Sequence, residues 1–481
     1  MYHDIKLISL LVVAIAGLAS ACNSAPSNSE ALASTTTQTD ELKITSLNEI
    51  AIPNLRERDY SANIVVESLD TNNCIGDNLT ASLPDEDGTY KSYMASFRSD
   101  GIRQYARLTI PDIPPSRTGF PFILFLHGYV GQDKAPGYSI GCDPDNLYYS
   151  ELTDAFARAG FAVLSPGYRG HATVKGVPAE GLNYLKAFDQ GAGVSTQFYA
   201  IDALNFVAGL GNIDGAVFPS QVFDFDMSRY FLLGHSQGGD AGLTFLAAIG
   251  EGAHDRLSPA QSALWSGTFL PRLRALEEMM PVALSPEAFL SGDGTWTGTA
   301  ISKDGRTNAN FIFGFPPDWI ETPNPNEWTW QKETWSETSV ASAAESAARR
   351  MYQELKDHVK DLADVELKVA HRNSRSALQH DSKIVQKFSK IGGYNFAAFL
   401  TEPIELHVPD KDHYSLISWN QDLCNRINEV GGECNMVIYP DNNHSLRASQ
   451  YEWFSPKGTP DGYPIMVEGL AKKFGDVETS R

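Results

Sequence analysis

From Phe120 to Trp265 the chain alternates short apolar runs with longer helix-forming stretches, and the same rhythm returns from Ile404 to Phe474. Strands are expected at Phe122–Leu126, Phe161–Ser165, Tyr230–Leu233, Ala263–Trp265, Ile404–Val408 and Met436–Tyr439. Helices are expected at Leu147–Ala159, Thr196–Leu210, Gln237–Ile249, Leu416–Val430 and Ile465–Phe474. A run such as Phe122-Ile123-Leu124-Phe125-Leu126 has no polar face, so both of its sides must be covered. Strands of that kind joined through helices form a parallel sheet with helices on both faces, an α/β architecture. Ahead of them, Tyr93–Arg98 and Gln104–Ile110 surround Ser99-Asp100-Gly101 and read as a hairpin.

The rhythm stops near Gly267 and resumes near Ile404. The intervening stretch is far longer than an ordinary loop and shows no strand–helix alternation. It holds a helix-forming segment, Val340–Leu362, and the tryptophans Trp296, Trp319, Trp328, Trp330 and Trp335. It reads as a cap domain inserted into the α/β core. The expected organisation is 1–21 signal peptide, 22–45 flexible tether, 46–267 first part of the core, 268–400 inserted cap and 401–481 second part of the core.

The amino-terminal reading rests on Lys6, an apolar run from Leu7 to Leu18, and Ala19-Ser20-Ala21-Cys22. The run is too short to span a bilayer and fits a signal peptide. Two processing outcomes stand open: cleavage after the A-x-A site, or lipidation of Cys22, since the stretch resembles a bacterial lipobox with its Leu one place early, at Leu18. The Ser-, Thr-, Ala- and Asn-rich tract Asn23–Asp40 suits a tether. The expected location is therefore the bacterial cell envelope through a lipid on Cys22, or secretion if cleavage precedes Cys22 without lipidation. Apart from Cys22 there are four cysteines, an even number suited to an oxidising compartment. Cys424 and Cys434 flank a helix-to-strand turn and can pair locally, which leaves Cys74 with Cys142.

The chemistry-bearing string is Gly234-His235-Ser236-Gln237-Gly238-Gly239, with a strand running in and a helix running out. That strand–turn–helix setting presents a serine at the carboxyl end of a sheet, and the glycines let the backbone turn tightly. A serine hydroxyl needs a base and an orienting acid. Pro440-Asp441-Asn442-Asn443-His444 follows a strand and offers His444 as the base. Pro409-Asp410-Lys411-Asp412 follows another and offers two acids, with Asp412 preferred and Asp410 the alternative. His407 and His413 stand in the wrong chain order for the base, and His235 lies beside the nucleophile. After strand Phe122–Leu126 comes His127-Gly128-Tyr129, where Tyr129 and Gln237 are the expected donors of two amides to an oxyanion. No spacing resembles a zinc site, and Asp143 with Asp145 is a weak calcium signal read as solvated loop; no metal is expected.

Leu126-His127-Gly128, Gly167-Tyr168-Arg169-Gly170, Gly234–Gly239, Asp412 and His444 together resemble the α/β-hydrolase superfamily. The branch most similar is the prolyl-oligopeptidase-like and dienelactone-hydrolase-like serine hydrolases and esterases, over roughly residues 93–267 and 400–475. The resemblance implies an α/β-hydrolase fold with a large inserted cap. It also implies Ser236 as nucleophile, Asp412 as triad acid, His444 as base, and Tyr129 with Gln237 as oxyanion hole. Two departures are visible: too few residues precede the core for a gating β-propeller, and Pro409 stands where relatives often have Gly. The implied reaction is acyl transfer to water through an acyl-serine, with no organic cofactor. The expected substrate is a small or polymeric carboxylic ester. A peptidase or amidase is the alternative, and a non-catalytic ligand-binding lipoprotein a more distant one.

Charge narrows the partners. The 481-residue chain carries a formal net charge of −21, without the basic footprint that nucleic acid demands. Residues 268–400 hold 15 Lys+Arg against 17 Asp+Glu, so nearly all the acidity belongs to the core and tether. An aromatic, nearly neutral cap suits an uncharged or weakly polar ester, and contact with a membrane is expected only through the lipid on Cys22.

Overall fold

Every apolar run expected as a strand lies in one ten-stranded sheet. The computed structural model describes residues 46–69, 88–128, 148–171, 173–174, 177–181, 195–272, 274, 296–302, 307–313, 328–330, 362, 368–372, 375–379, 382–412, 415–448 and 457–479. The strands of the sheet are β1 (Ile64–Leu69), β2 (Tyr90–Ser99), β3 (Ile102–Pro111), β4 (Phe120–Leu126), β5 (Ala162–Pro166), β6 (Ile213–Asp214), β7 (Phe225–His235), β8 (Gln261–Trp265), β9 (Ile404–Pro409) and β10 (Cys434–Tyr439). Their order across the sheet is β10-β9-β8-β7-β4-β5-β3-β2-β1-β6. From β5 to β10 the neighbours are parallel, while β3 runs antiparallel to both β5 and β2. This is the strand arrangement of the α/β-hydrolase fold. The β2–β3 hairpin closes through Asp100 and Gly101, both at positive φ (55° and 81°), as a two-residue turn requires.

Period-two alternation assigns the side chains of the central strands to two cores. From β4, Phe122, Leu124 and Leu126 join one face; Ile123 and Phe125 join the other. From β7, Tyr230 and Leu232 oppose Phe231 and Leu233 in the same way. The first face is covered by α1 (Ile52–Glu57), α3 (Ser195–Gly209), α4 (Gln237–Ile249) and α6 (Ile417–Glu429). The second is covered by α2 (Tyr148–Arg158) and α7 (Gly462–Thr479), where Phe474 stacks on Phe231 with ring centroids 3.8 Å apart. Nearly all of α3 is buried, which explains its lack of a polar stripe.

Within 268–400 the described strands are antiparallel, with no connecting helix among the described residues. Trp296–Ser302 pairs with Thr307–Phe313 on one side and with Trp328–Trp330 on the other, and Lys368–Arg372 pairs with Arg375–Gln379. The helix expected over Val340–Leu362 lies outside the described residues save for Leu362. The carboxyl end of this stretch joins the core instead: α5 (Ser382–Phe388) contributes Ile384 and Phe388, and Gly393–Phe399 contributes Tyr394 and Ala397. Core packing therefore resumes well before position 401, at Leu362 and again from Ile384. A disulfide joins Cys424 on α6 to Cys434 at the start of β10, as the local pairing anticipated. Cys74, Cys142 and the amino-terminal segment with Cys22 lie outside the described residues.

A buried ion pair ties the sheet to α3. The Asp202 carboxylate accepts from the Arg169 backbone N–H (2.9 Å), from its guanidinium (2.6 Å at the closest) and from Ser99 Oγ (2.6 Å). Arg169 also reaches Asp100 at 3.2 Å, so one network binds the hairpin turn, the loop after β5 and α3. Because both members are almost wholly buried, losing one leaves an uncompensated charge. Asp202→Ala is expected to cost about 3–5 kcal/mol of stability, measured by urea denaturation. A loss below about 1 kcal/mol would show that solvent or another residue replaces the carboxylate.

Candidate active site

Parallel strands end on the same edge of a sheet, and that edge gathers the candidate residues. Leu126 pairs with Gly234, Trp265 with both His235 and His407, and Pro409 with Tyr439. The segments that follow β4, β7, β8, β9 and β10 therefore emerge side by side. They carry Gly128, Ser236, Ser266, Asp412 and His444 respectively.

Ser236 occupies the turn between β7 and α4 at φ 54° and ψ −119°, a region that non-glycine residues rarely enter. Holding it there costs about 1–3 kcal/mol. The surroundings enforce it. The Ser236 amide donates to the Trp265 carbonyl at 2.9 Å, and the Ser236 carbonyl accepts from Gly239 (2.9 Å) and Asp240 (3.2 Å). Burial of Leu243, Phe245, Leu246 and Ile249 anchors α4, at about 1.5–3 kcal/mol for each side chain, which outweighs the strain. The glycines of the motif have steric roles: a Cβ on Gly234 would sit 2.6 Å from the Gly238 carbonyl oxygen, and one on Gly238 only 2.0 Å from that of Leu126.

The structure brings Ser236, His444 and Asp412 into one hydrogen-bonded line. Ser236 Oγ lies 3.0 Å from His444 Nε2, and His444 Nδ1 lies 2.8 Å from Asp412 Oδ2. A carboxylate only accepts, so Nδ1 carries the proton and Nε2 is left to receive one from the serine. Asp412 is 3% exposed and His444 4%, so the line lies in a screened, water-poor setting. Asp410, the alternative acid, has no such bond. Its backbone N–H donates to the Tyr439 carbonyl, its charged neighbour is Lys411 at 3.8 Å, and burial pushes its carboxyl above the ordinary range.

Loop anchors missing from the sequence reading hold the base and acid in place. Asn443 Oδ1 accepts from the amides of Ser445 (2.9 Å) and Arg447 (3.3 Å), and Asn442 Oδ1 accepts from Gly462 N–H at 2.8 Å. The Lys411 amide donates to the Asn442 carbonyl at 3.0 Å, joining the acid loop to the base loop. The run Asp441-Asn442-Asn443 signals such side-chain-to-backbone turns, but not which partners they take. Asp240 in the first turn of α4 accepts from the amides of Thr268 and Phe269 and pairs with Arg272 at 3.0 Å. The inserted stretch thus departs from a point fastened to the helix that follows Ser236.

At the oxyanion position, Gln237 stands first in α4 and its N–H forms no hydrogen bond with another described residue. Tyr129 lies outside the described residues. Its neighbour Gly128 does approach: a Cβ there would sit 2.9 Å from the Tyr149 hydroxyl oxygen and 3.2 Å from Ser236 Cβ, pressing on both. The Gly128 N–H is already committed to the Tyr149 hydroxyl at 3.0 Å. His127 is fully buried and held neutral, its pKa lowered to about 3 by burial and by His171. No group of three or more metal-ligating side chains converges among the described residues.

No family model matches the chain, and no curated protein matches it. Solved structures do. A protein from Bacteroides ovatus assigned as a dipeptidyl aminopeptidase IV aligns at 11% identity and TM-score 0.44 over 83% of this chain, which spans only 38% of that protein's length. Acetyl xylan esterase from Paenibacillus sp. R4 aligns at 13% identity and TM-score 0.43, over 90% of this chain and 95% of its own. Est1E from Butyrivibrio proteoclasticus, solved with ferulic acid bound, aligns at 14% identity and TM-score 0.38, over 80% and 98%.

The two acids predict different variants. Asp412→Asn removes the carboxylate that holds His444 in its Nδ1–H form, and the turnover number of whatever acyl substrate is cleaved should fall by about ten-thousandfold. Asp410→Asn should stay within about threefold of wild type. Steady-state kinetics on the two purified proteins checks the assignment, and the reverse pattern overturns it.

Proposed function

We propose that this protein is a serine hydrolase that cleaves carboxylic esters through an acyl-serine intermediate. The observation that carries the reading is the line Ser236 Oγ–His444 Nε2–His444 Nδ1–Asp412 Oδ2, with links of 3.0 and 2.8 Å, at a strained strand-to-helix turn. His444 takes the proton of Ser236 as Oγ attacks the acyl carbon, and then gives it to the departing alcohol. Asp412 stabilises the charged imidazole formed between those steps. The developing oxyanion is assigned to the amides of Gln237 and Tyr129. Water then enters on the same base, and the acid is released with Ser236 restored.

The near-neutral charge of the inserted stretch agrees with an uncharged ester. Export, with Cys22 either lipidated or removed from its leader, completes the proposal: the substrate is met outside the cytoplasm.

The test is a panel of p-nitrophenyl esters of increasing acyl length beside amino-acid arylamides, assayed with wild type and Ser236→Ala. Wild type should turn over at least one ester, and Ser236→Ala should lose at least about a thousandfold in kcat. Equal rates for the two proteins would remove Ser236 as nucleophile. Cleavage of arylamides with inert esters would move the assignment to a peptidase or amidase.

A further inference from the structure

A second histidine, His235, is buried beside the base with no part in the proton transfers. Its ring centroid lies 5.1 Å from that of His444, and it stacks on Trp265 at 5.0 Å. His235 Nε2 lies 3.2 Å from the His444 carbonyl oxygen, and Nδ1 lies 2.5 Å from the Tyr149 hydroxyl. A carbonyl only accepts, so Nε2 must carry the hydrogen. Burial, reinforced by repulsion from His444, holds the His235 imidazole neutral. Its Nδ1 is then a bare acceptor, and Tyr149 must donate to it. The Tyr149 oxygen in turn accepts the Gly128 N–H at 3.0 Å.

All the hydrogens in this relay run one way: Gly128 amide to Tyr149 hydroxyl, Tyr149 hydroxyl to His235, and His235 to the His444 carbonyl. Ser266 Oγ supplies a second donor to that same carbonyl at 2.8 Å. The relay spans four segments that sequence places far apart: the turn after β4, helix α2 with Tyr149, the residue before Ser236 and the main chain of His444. The bond to Ser236 needs His444 at one distance and angle, and an error of about 1 Å in such a site can cost a hundredfold.

We propose that His235 is a positioning residue: its Nε2–H holds the main chain of His444, and its Nδ1, through Tyr149, ties the base to the Gly128 turn beside the oxyanion position. This rests on the acyl-serine reading given above. His235 touches no reacting atom, so its loss should act on the rate of the chemical step rather than on substrate capture.

The experiment compares His235→Phe, His235→Gln and His235→Asn with wild type and Ser236→Ala on a p-nitrophenyl ester that wild type cleaves. Rates of wild type and the His235 variants are normalised to sites titrated with a fluorophosphonate, and that of Ser236→Ala, which lacks the hydroxyl the reagent modifies, to protein concentration. Phe keeps the ring and has no donor. Gln places an N–H near the Nε2 position, whereas the shorter Asn does not reach it. His235→Phe and His235→Asn should lose about 10- to 100-fold in kcat with KM within about twofold, and Gln should recover to within about threefold of wild type. A purely structural role would lower the titratable fraction or the melting temperature while leaving kcat per titrated site unchanged, and that result overturns the proposal. If the Phe variant does not fold, equal kcat for Gln and Asn overturns it as well. An inactive Ser236→Ala beside a full-rate His235→Phe removes the positioning role alone. A fully active Ser236→Ala removes the acyl-serine reading and this proposal together.

Discussion

The turn at Ser236 is the constraint on which the rest of the site depends. A serine at φ 54° is held against its own preference by a hydrogen bond to Trp265, two accepted bonds from α4, and a helix whose apolar side chains are buried in the core. Glycine at 234 and 238 is obligatory because backbone carbonyls occupy the space where side chains would lie. The strain is local, whereas the burial that offsets it is spread along the whole of α4. Ser236 is thus held at the sheet edge by the fold itself.

Around that fixed point the partners come from strands that are adjacent in space and distant in sequence. β9 and β10 deliver the acid and the base because both are parallel to β7 and end at the same edge. Their loops are then tied to each other, Lys411 to Asn442, and to the helix that follows, Asn442 to Gly462. Rigid strands set the approximate position, and buried side-chain-to-backbone bonds set the final one. The inserted stretch departs through Thr268 and Phe269, whose amides are held by Asp240, so its root shares the helix that carries the nucleophile.

Much of this was legible before any coordinate. The apolar run Phe122–Leu126 announced a doubly covered strand, and the observed β4 extends it by only two residues at its start. Helix Gln237–Ile249 has the expected bounds because Ser236 and Gly250 punctuate it. The inserted stretch was less legible: its described strands are short antiparallel pairs, which carry no strand–helix rhythm to read. Its carboxyl end, Ser382–Phe399, joins the core because Ile384, Phe388 and Tyr394 share an apolar cluster with α4 and with residues 47–55, and these are residues remote in sequence.

Sequence alone determined the α/β class, the chain order of the candidate residues Ser236, acid and His444, and the strand–turn–helix setting of Ser236, because each is written in local composition and spacing. It preferred Asp412 as the acid but kept Asp410 as the alternative, since both follow the same strand. Tertiary structure decided between them: only Asp412 reaches His444 Nδ1, at 2.8 Å, while Asp410 lies against Lys411. It also set the contacts of His235, which in sequence is merely the residue before a serine. Which hydrogen-bond acceptor a buried group meets depends on the packing of three strands and a helix, and no local pattern encodes that meeting.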